Sequence, residues 1–183
     1  ICRSVDRAPL LSYAPAALAE YTEEWPVLGT HPKLRRRSKV DKLKRVGLVL
    51  ISDDRTSEGD FQMVFTPLGV RVHGARMWAD WSISSPGDAL DYMHDSLAKA
   101  TKYVAEGGLD VVAYTCTTGS FYKGVGWDTE ICEIMSEVAG VPAFATSPSV
   151  VTALNEFGAK KISVVTPYPE WNNVRLRAYL EAK

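Results

Sequence analysis

The clearest pattern in the chain is an unbroken apolar run at residues 46–51 (VGLVLI), followed by nine polar or small positions at 52–60. A run of that length, rich in β-branched residues, predicts a strand buried on both faces, with the polar segment as its exit loop. Residues 70–76 predict a second strand. Ser85 followed by Pro86 marks a helix start, and Ala89, Leu90, Met93, Leu97, Ala100 and Val104 then recur at helical spacing until Gly107-Gly108. This predicts one amphipathic crossover helix. The alternation continues with a strand at 110–115, a helix at 127–138, a strand at 142–146, and a helix at 148–157 ended by Gly158. A strand at 161–166 and a helix from Glu170, with Val174, Leu176, Tyr179 and Leu180 as its apolar face, complete it. Strands alternating with helices of this length predict an α/β fold, a mostly parallel sheet in a three-layer, Rossmann-like arrangement.

Residues 1–45 read differently. They carry scattered prolines (Pro9, Pro15, Pro26, Pro32), one short helical pattern at 16–24 and a basic stretch at 35–45, RRRSKVDKLKR. This is an N-terminal extension or arm. Asp41 interrupts the basic stretch and no aromatic residues interleave it, so a solvated linker or subunit contact is expected rather than a nucleic-acid surface. The chain begins at Ile1, and the expectation is that the true N-terminus lies upstream.

The 183 residues have a formal charge of −1, and 23% charged against 46% hydrophobic residues is the balance of a soluble globular protein. Neither nucleic acid nor membrane is expected as a partner, and no apolar run approaches the roughly 18 residues that span a bilayer. Cys2, Cys116 and Cys132 are odd in number and irregularly spaced, so neither a disulfide framework nor a metal site is indicated. A reducing cytoplasm fits this usage.

Candidate chemistry concentrates where the strand at 110–115 stops, in VVAYTCTTGSFY. In a parallel sheet the loops leaving the C-terminal strand ends lie together, which gathers 52–58, 116–120, 146–149 and 166–168 along one edge. Thr117, Thr118 and Ser120 bring O–H donors, and Gly119 permits close approach of backbone to a ligand. Outward N–H groups complete a cradle for a carboxylate, and the same field favours Cys116 as a thiolate, with its pKa lowered from about 8.5. Cys116 is therefore the expected reactive residue. Cys132 reads as core and Cys2 as without a role. His73 and His94 have no metal-spaced partners, and His94 reads as a surface position on the crossover helix. Asp53, Asp54 and Glu58 are either paired acid/base carboxylates or a solvated loop, and Trp78 and Trp81 are expected to pack on the sheet.

Several ordered motifs together carry a resemblance. VGLVLISDDRTSEGDF, HGARM, CTTGSFYKG and SPSVVTALNEFGAKKISVVTPYPEWNN resemble the maleate cis-trans isomerase and arylmalonate decarboxylase group of the aspartate/glutamate racemase superfamily, over roughly residues 46–183. The resemblance implies a domain of two similar α/β halves closing over a small carboxylate, with one cysteine position at a strand end in each half. It implies a first half at 46–150 and an incomplete second half at 151–183. It implies Cys116 as the first-half cysteine, Thr117 and Thr118 as oxyanion-binding positions, and Tyr168 as the tyrosine that contacts a substrate carboxylate. Asp54 falls where the isomerases have a substrate-binding asparagine; a carboxylate there repels a dianion unless it is protonated or turned away. Neither Cys2 nor Cys132 matches the second-half cysteine.

The resemblance further implies a cofactor-independent enzyme that stabilises negative charge on a carboxylate. Arylmalonate decarboxylases carry glycine at the Cys116 position, so the cysteine points to an isomerase of a small dicarboxylic acid. A decarboxylase or racemase is the alternative within enzymes, and a non-catalytic small-acid binder or half-enzyme the alternative outside them. An incomplete second half would expose apolar surface, from which a homo-oligomer is expected.

Overall fold

The computed structural model describes residues 43–183. The helix expected at 16–24 and most of the basic stretch lie outside the described residues. Four parallel strands form the sheet: β1 (Lys44–Ile51), β2 (Val70–Met77), β3 (Val111–Tyr114) and β4 (Ala143–Ala145), in spatial order β2-β1-β3-β4. Val46 of β1 pairs with Val72 on one side and Val111 on the other, and Tyr114 pairs with Ala145. From β1 the chain first winds outward to β2 and then returns to place β3 on the other side. The switch in winding direction falls between β1 and β3, where open α/β sheets bind ligands at the carboxyl ends of their strands.

The apolar run of β1 is buried because both its faces are covered. Val49 joins Met77, Val112 and Tyr114 in a core with Leu90 and Met93 of α2 (Pro86–His94), Leu97, Ala100 and Val104 of α3 (Leu97–Ala105), and Ile131 and Met135 of α4 (Trp127–Ala139). Val46, Leu48, Leu50 and Ala113 point the other way, against Phe61 of α1 (Ser57–Phe65) and Phe144. The expected α/β, three-layer architecture follows. Each fully buried aliphatic side chain contributes about 1.5–3 kcal/mol relative to exposure. Gly47 sets how closely one helix layer approaches: a Cβ there would stand 2.3 Å from Leu109 Cδ1 and 3.2 Å from Val104 Cγ1.

Three local expectations need correction. The segment at 52–60 is not all loop, because α1 begins at Ser57; Asp54, in the loop before it, accepts hydrogen bonds from the backbone N–H of Thr56 (3.0 Å) and Ser57 (2.9 Å). The crossover is two helices rather than one, since at Ser96 both the N–H and the hydroxyl turn back to Met93 O (3.1 and 2.8 Å). Residues 161–166 form no strand: they have no ladder partner among the described residues, and Ile162, Val164 and Val165 are exposed. Helix α5 (Thr146–Glu156) begins two residues before the expected start, and Gly158 follows it at φ +64°. Helix α6 (Glu170–Glu181) starts where expected. Among the described residues no helix is long and apolar enough to cross a membrane.

Candidate functional site

Strand β3 ends at Tyr114, and the chain turns at once through Thr115, Cys116 and Thr117 into a single 3-10 turn, Thr118–Ser120. The turn is tight because it closes on itself. Ser120 N–H donates to the carbonyls of Cys116 and Thr117 (3.1 Å each), and Gly119 N–H donates to Cys116 Sγ at 3.3 Å. Trp127 fixes it from below through Nε1–H to Gly119 O at 2.8 Å. Only glycine fits at 119, where a Cβ would stand 2.0 Å from Tyr114 Oη and 3.0 Å from Cys116 Sγ.

The expected donors divide into two groups. Ser120 is fully buried, and its hydroxyl bonds Thr117 O (2.7 Å) and Ser147 Oγ (2.6 Å). It stitches the turn to the start of α5 and leaves nothing for a ligand. Thr117 and Thr118 are part-buried, and among the described residues their backbone N–H groups donate to no protein acceptor. Thr118 Oγ1 accepts from Asn172 Nδ2 at 2.8 Å, which holds the oxygen in place while its own hydrogen stays available. Asn172, on α6 and buried, was not among the residues read from the sequence; its only signal was the paired asparagines that follow Trp171. Tyr168 is part-buried on the approach to α6, its backbone tied to Thr166 and Asn173 (3.2 and 2.8 Å), and among the described residues no protein group bonds its hydroxyl.

Asp54 sits at the exit of β1, beside this turn, with both oxygens committed to its own helix. Oδ1 takes the two N–H groups that start α1, and Oδ2 accepts from Ser57 Oγ at 2.6 Å, with Thr115 Oγ1 more distant at 3.5 Å. Burial alone would raise its pKa, but the hydrogen bonds from Ser57 and Thr56 and the charge of Arg76 outweigh that and hold it below the ordinary 3.8. Asp54 is thus an ionised carboxylate bonded chiefly to the loop that leads into α1. Asp53 is exposed, accepting from Trp81 Nε1 at 3.1 Å, and Glu58 pairs with Arg76. Trp78 and Trp81, expected to pack on the sheet, are instead 65% and 53% exposed.

The thiol differs from expectation in its electrostatics. Cys116 is part-buried, and burial pushes its pKa up; the Gly119 N–H and the Tyr114 hydroxyl lower it, but the carboxylates of Asp53 and Asp54 oppose them. The resting group is a thiol, because one N–H of the turn and one tyrosine hydroxyl do not offset desolvation and two nearby anions. Cys132 packs against the core, as expected, and burial likewise raises its pKa.

Behind Cys116 lies a cluster that the sequence did not announce. His94 is not a surface residue: it is part-buried, stacked on Tyr122 with centroids 5.3 Å apart and edge-on to Trp127 at 5.3 Å. Its Nδ1 lies 2.6 Å from Leu90 O and its Nε2 lies 2.7 Å from Tyr114 Oη. Burial lowers its pKa below 6.5. A groove of about 780 Å³ bounded by Ile162, Val164, Val165 and Leu176 lies elsewhere, and Cys116 does not line it.

The arrangement is a strand-end thiol beside free N–H and O–H donors at the switch of a parallel sheet. Compared with known proteins, the chain matches the family model described as arylmalonate decarboxylase over residues 74–183, more than half its length. It belongs to the arylmalonate decarboxylase family. Characterised members of this family and its relatives are enzymes. The chain is 26% identical over 119 residues to arylmalonate decarboxylase of Bordetella bronchiseptica, covering 61% of this chain and 50% of that protein. It is 24% identical over 154 residues to maleate isomerase of Alcaligenes faecalis, covering 78% of this chain and 60% of that one. It therefore spans half to three-fifths of the length of these relatives.

Solved structures show the same fold. The maleate isomerase of Pseudomonas putida S16 superposes with a TM-score of 0.69 at 20% identity, covering 76% of this chain and 59% of that one. A cysteine-to-serine mutant of the Nocardia farcinica maleate cis-trans isomerase, with a covalently bound succinylcysteine intermediate, gives 0.69 at 23% identity with the same coverage. An unliganded arylmalonate decarboxylase gives 0.59 at 22% identity over 76% of this chain and 58% of that one.

Proposed function

We propose that this member of the arylmalonate decarboxylase family is a cofactor-independent isomerase of a small dicarboxylic acid, of the maleate cis-trans kind, with Cys116 as nucleophile. One observation carries the reading: a cysteine, rather than the glycine of the decarboxylases it resembles, stands at the exit of β3 beside donors that no group among the described residues uses. Thr117 and Thr118 supply N–H and O–H groups to one carboxylate, and the Tyr168 hydroxyl is available to a carboxylate as well.

In this reading the Cys116 thiolate adds to one alkene carbon. A C–S bond forms, and the π electron pair moves into the conjugated carboxylate as an enediolate, where donors fixed in advance lower its energy. The former double bond is now single and rotates. The enediolate pair then re-forms the alkene, the C–S bond breaks, and sulfur leaves with its electrons, so no proton is consumed. The succinylcysteine carried by the Nocardia farcinica relative supports this course for its own reaction.

The family match favours a second reading, a decarboxylase, in which the same donors stabilise the enediolate left by departing CO2. The test is to offer the intact protein maleate, arylmalonates, hydantoins and aspartate, following isomerisation, CO2 release and deuterium uptake at the α-carbon. The proposal expects isomerisation, reduced about a thousandfold or more in Cys116→Ser. Full activity in that variant overturns the nucleophile, CO2 release or deuterium uptake replaces the isomerase, and calorimetric binding without conversion makes the protein a small-acid binder.

A further inference from the structure

We propose that Asn172 is a positioning residue of the site: its amide N–H fixes the Thr118 hydroxyl so that the hydroxyl hydrogen is presented to a substrate carboxylate. The inference rests on the reading of Thr118 as a carboxylate donor given above and adds the residue that aims it.

The hydroxyls around the turn divide by where their hydrogens go. Thr115 donates to Val49 O (3.3 Å), Thr146 to Tyr114 O (3.0 Å), Ser147 to Thr117 O (3.1 Å) and Ser149 to Ala145 O (2.7 Å). Each satisfies a backbone carbonyl and has no hydrogen left for a ligand. Thr118 is different. Its Oγ1 accepts from Asn172 Nδ2 at 2.8 Å, and among the described residues its own hydrogen goes to no protein acceptor. With one lone pair held by the amide, the O–H is confined to the remaining directions around the oxygen. The amide N–H also polarises that O–H, which makes it a better donor to an anion.

Asn172 itself is held firmly. It is 3% exposed in the first turn of α6, and its backbone N–H donates to Pro169 O at 3.0 Å. Its Oδ1 is buried and has no hydrogen-bond partner among the described residues. An acceptor left unpaired in this way lowers stability. Turned the other way, the amide would use that oxygen to accept the Thr118 hydrogen, and the hydroxyl would have none to give. A leucine of the same shape would remove the unpaired oxygen altogether, so for stability alone asparagine is no better than leucine at this position. What asparagine adds is the N–H on Thr118.

The bond spans 54 positions and joins the turn after β3 to the start of α6. Asn173, the next residue, holds the backbone of Tyr168 through Tyr168 O at 2.8 Å. One helix start therefore sets two carboxylate donors of the proposed site, which come from loops far apart in the chain.

The test reads binding and needs no turnover. Succinate, a saturated dicarboxylate that cannot isomerise, is titrated by calorimetry into the full chain of wild type, Asn172→Leu, Thr118→Val and the double variant. The proposal expects Thr118→Val to weaken succinate about tenfold and Asn172→Leu to weaken it about threefold or more. In the Thr118→Val background Asn172→Leu should change nothing further, because no hydroxyl is left to aim. In Thr118→Ser, which keeps the hydroxyl, its effect should return. Asn172→Leu should also unfold at the same urea concentration as wild type or a higher one, which a merely structural asparagine would not allow. Unchanged succinate binding in Asn172→Leu, or the same loss in Thr118→Val as in wild type, overturns the proposal; if Asn172→Leu does not fold, Asn172→Ala takes its place in the cycle and decides alone. Wild type that takes up no succinate overturns the donor role of Thr118 and this inference with it. Turnover of Cys116→Ser judges the nucleophile separately, so the two ideas fail by different measurements.

Discussion

At the scale of single residues, the position of Asp54 shows how one side chain can belong to a site by sequence and to a helix by structure. Its oxygens receive the N–H groups of Thr56 and Ser57 and the Ser57 hydroxyl, so replacing it removes the hydrogen bonds that order the loop into α1. Asp54→Ala is expected to destabilise the protein by about 1–3 kcal/mol, the usual cost of lost hydrogen bonds to a charged group, and Asp54→Asn by less, because an amide oxygen still accepts. Urea midpoints at neutral pH check both. The charge acts separately from these bonds: it opposes ionisation of Cys116, so Asp54→Asn should react faster with iodoacetamide at Cys116 than wild type at pH 7 while unfolding at nearly the same urea concentration. A slower Cys116 in that variant would assign Asp54 a supporting role at the thiol that its geometry does not suggest.

At the scale of elements, what was legible depended on whether the signal was local. The apolar run of β1, the Ser85-Pro86 start of α2 and the Gly158 stop after α5 are written in adjacent residues, and the structure places elements there. The break between α2 and α3 is hidden because Met93, Leu97, Ala100 and Val104 keep one buried face across it. Helix α1 is hidden for the opposite reason: no residue in it is fully buried, so no periodic apolar face announces it. The strand pattern at 161–166 is locally convincing, but a strand also needs a neighbour to pair with, which periodicity does not encode. In the site, Cys116 and its loop could be read directly, whereas His94 and Asn172 come to it from 22 and 56 positions away by chain folding. Gly47 tests the packing that achieves this. A methyl group there meets Leu109 and Val104 inside normal contact distance, so Gly47→Ala should cost about 1–3 kcal/mol, read as a lower urea midpoint with an unchanged slope.

At the scale of the whole molecule, the shifted groups combine into one dependence of stability on pH. His94 has a native pKa below 6.5, so as pH falls the unfolded chain takes up this proton first; stability is complete above about 6.5 and declines below it. Asp91 is held low by Lys123 and Tyr122. Asp128, buried between α4 and α6, would be raised by burial, but Lys183 and Tyr179, each 2.8 Å from Oδ2, pull it below 3.8. With Asp54 these carboxylates contribute stability that is fully present above 3.8 and is lost as pH falls through their native values. Cys116 and Cys132 act at the other end. Their native pKa values lie above 9.0, so the unfolded chain releases those protons first and stability falls above that pH. The expected curve is a plateau between about pH 7 and 9, with a shallow acid step from about 6.5 and a steeper one below about 4. Urea unfolding followed by tryptophan fluorescence at closely spaced pH values resolves the two acid steps. His94→Gln should remove the shallow step and leave the steep one, whereas Asp128→Asn should reduce the steep one alone. If the shallow step persists without His94, a group other than this imidazole takes up that proton on unfolding.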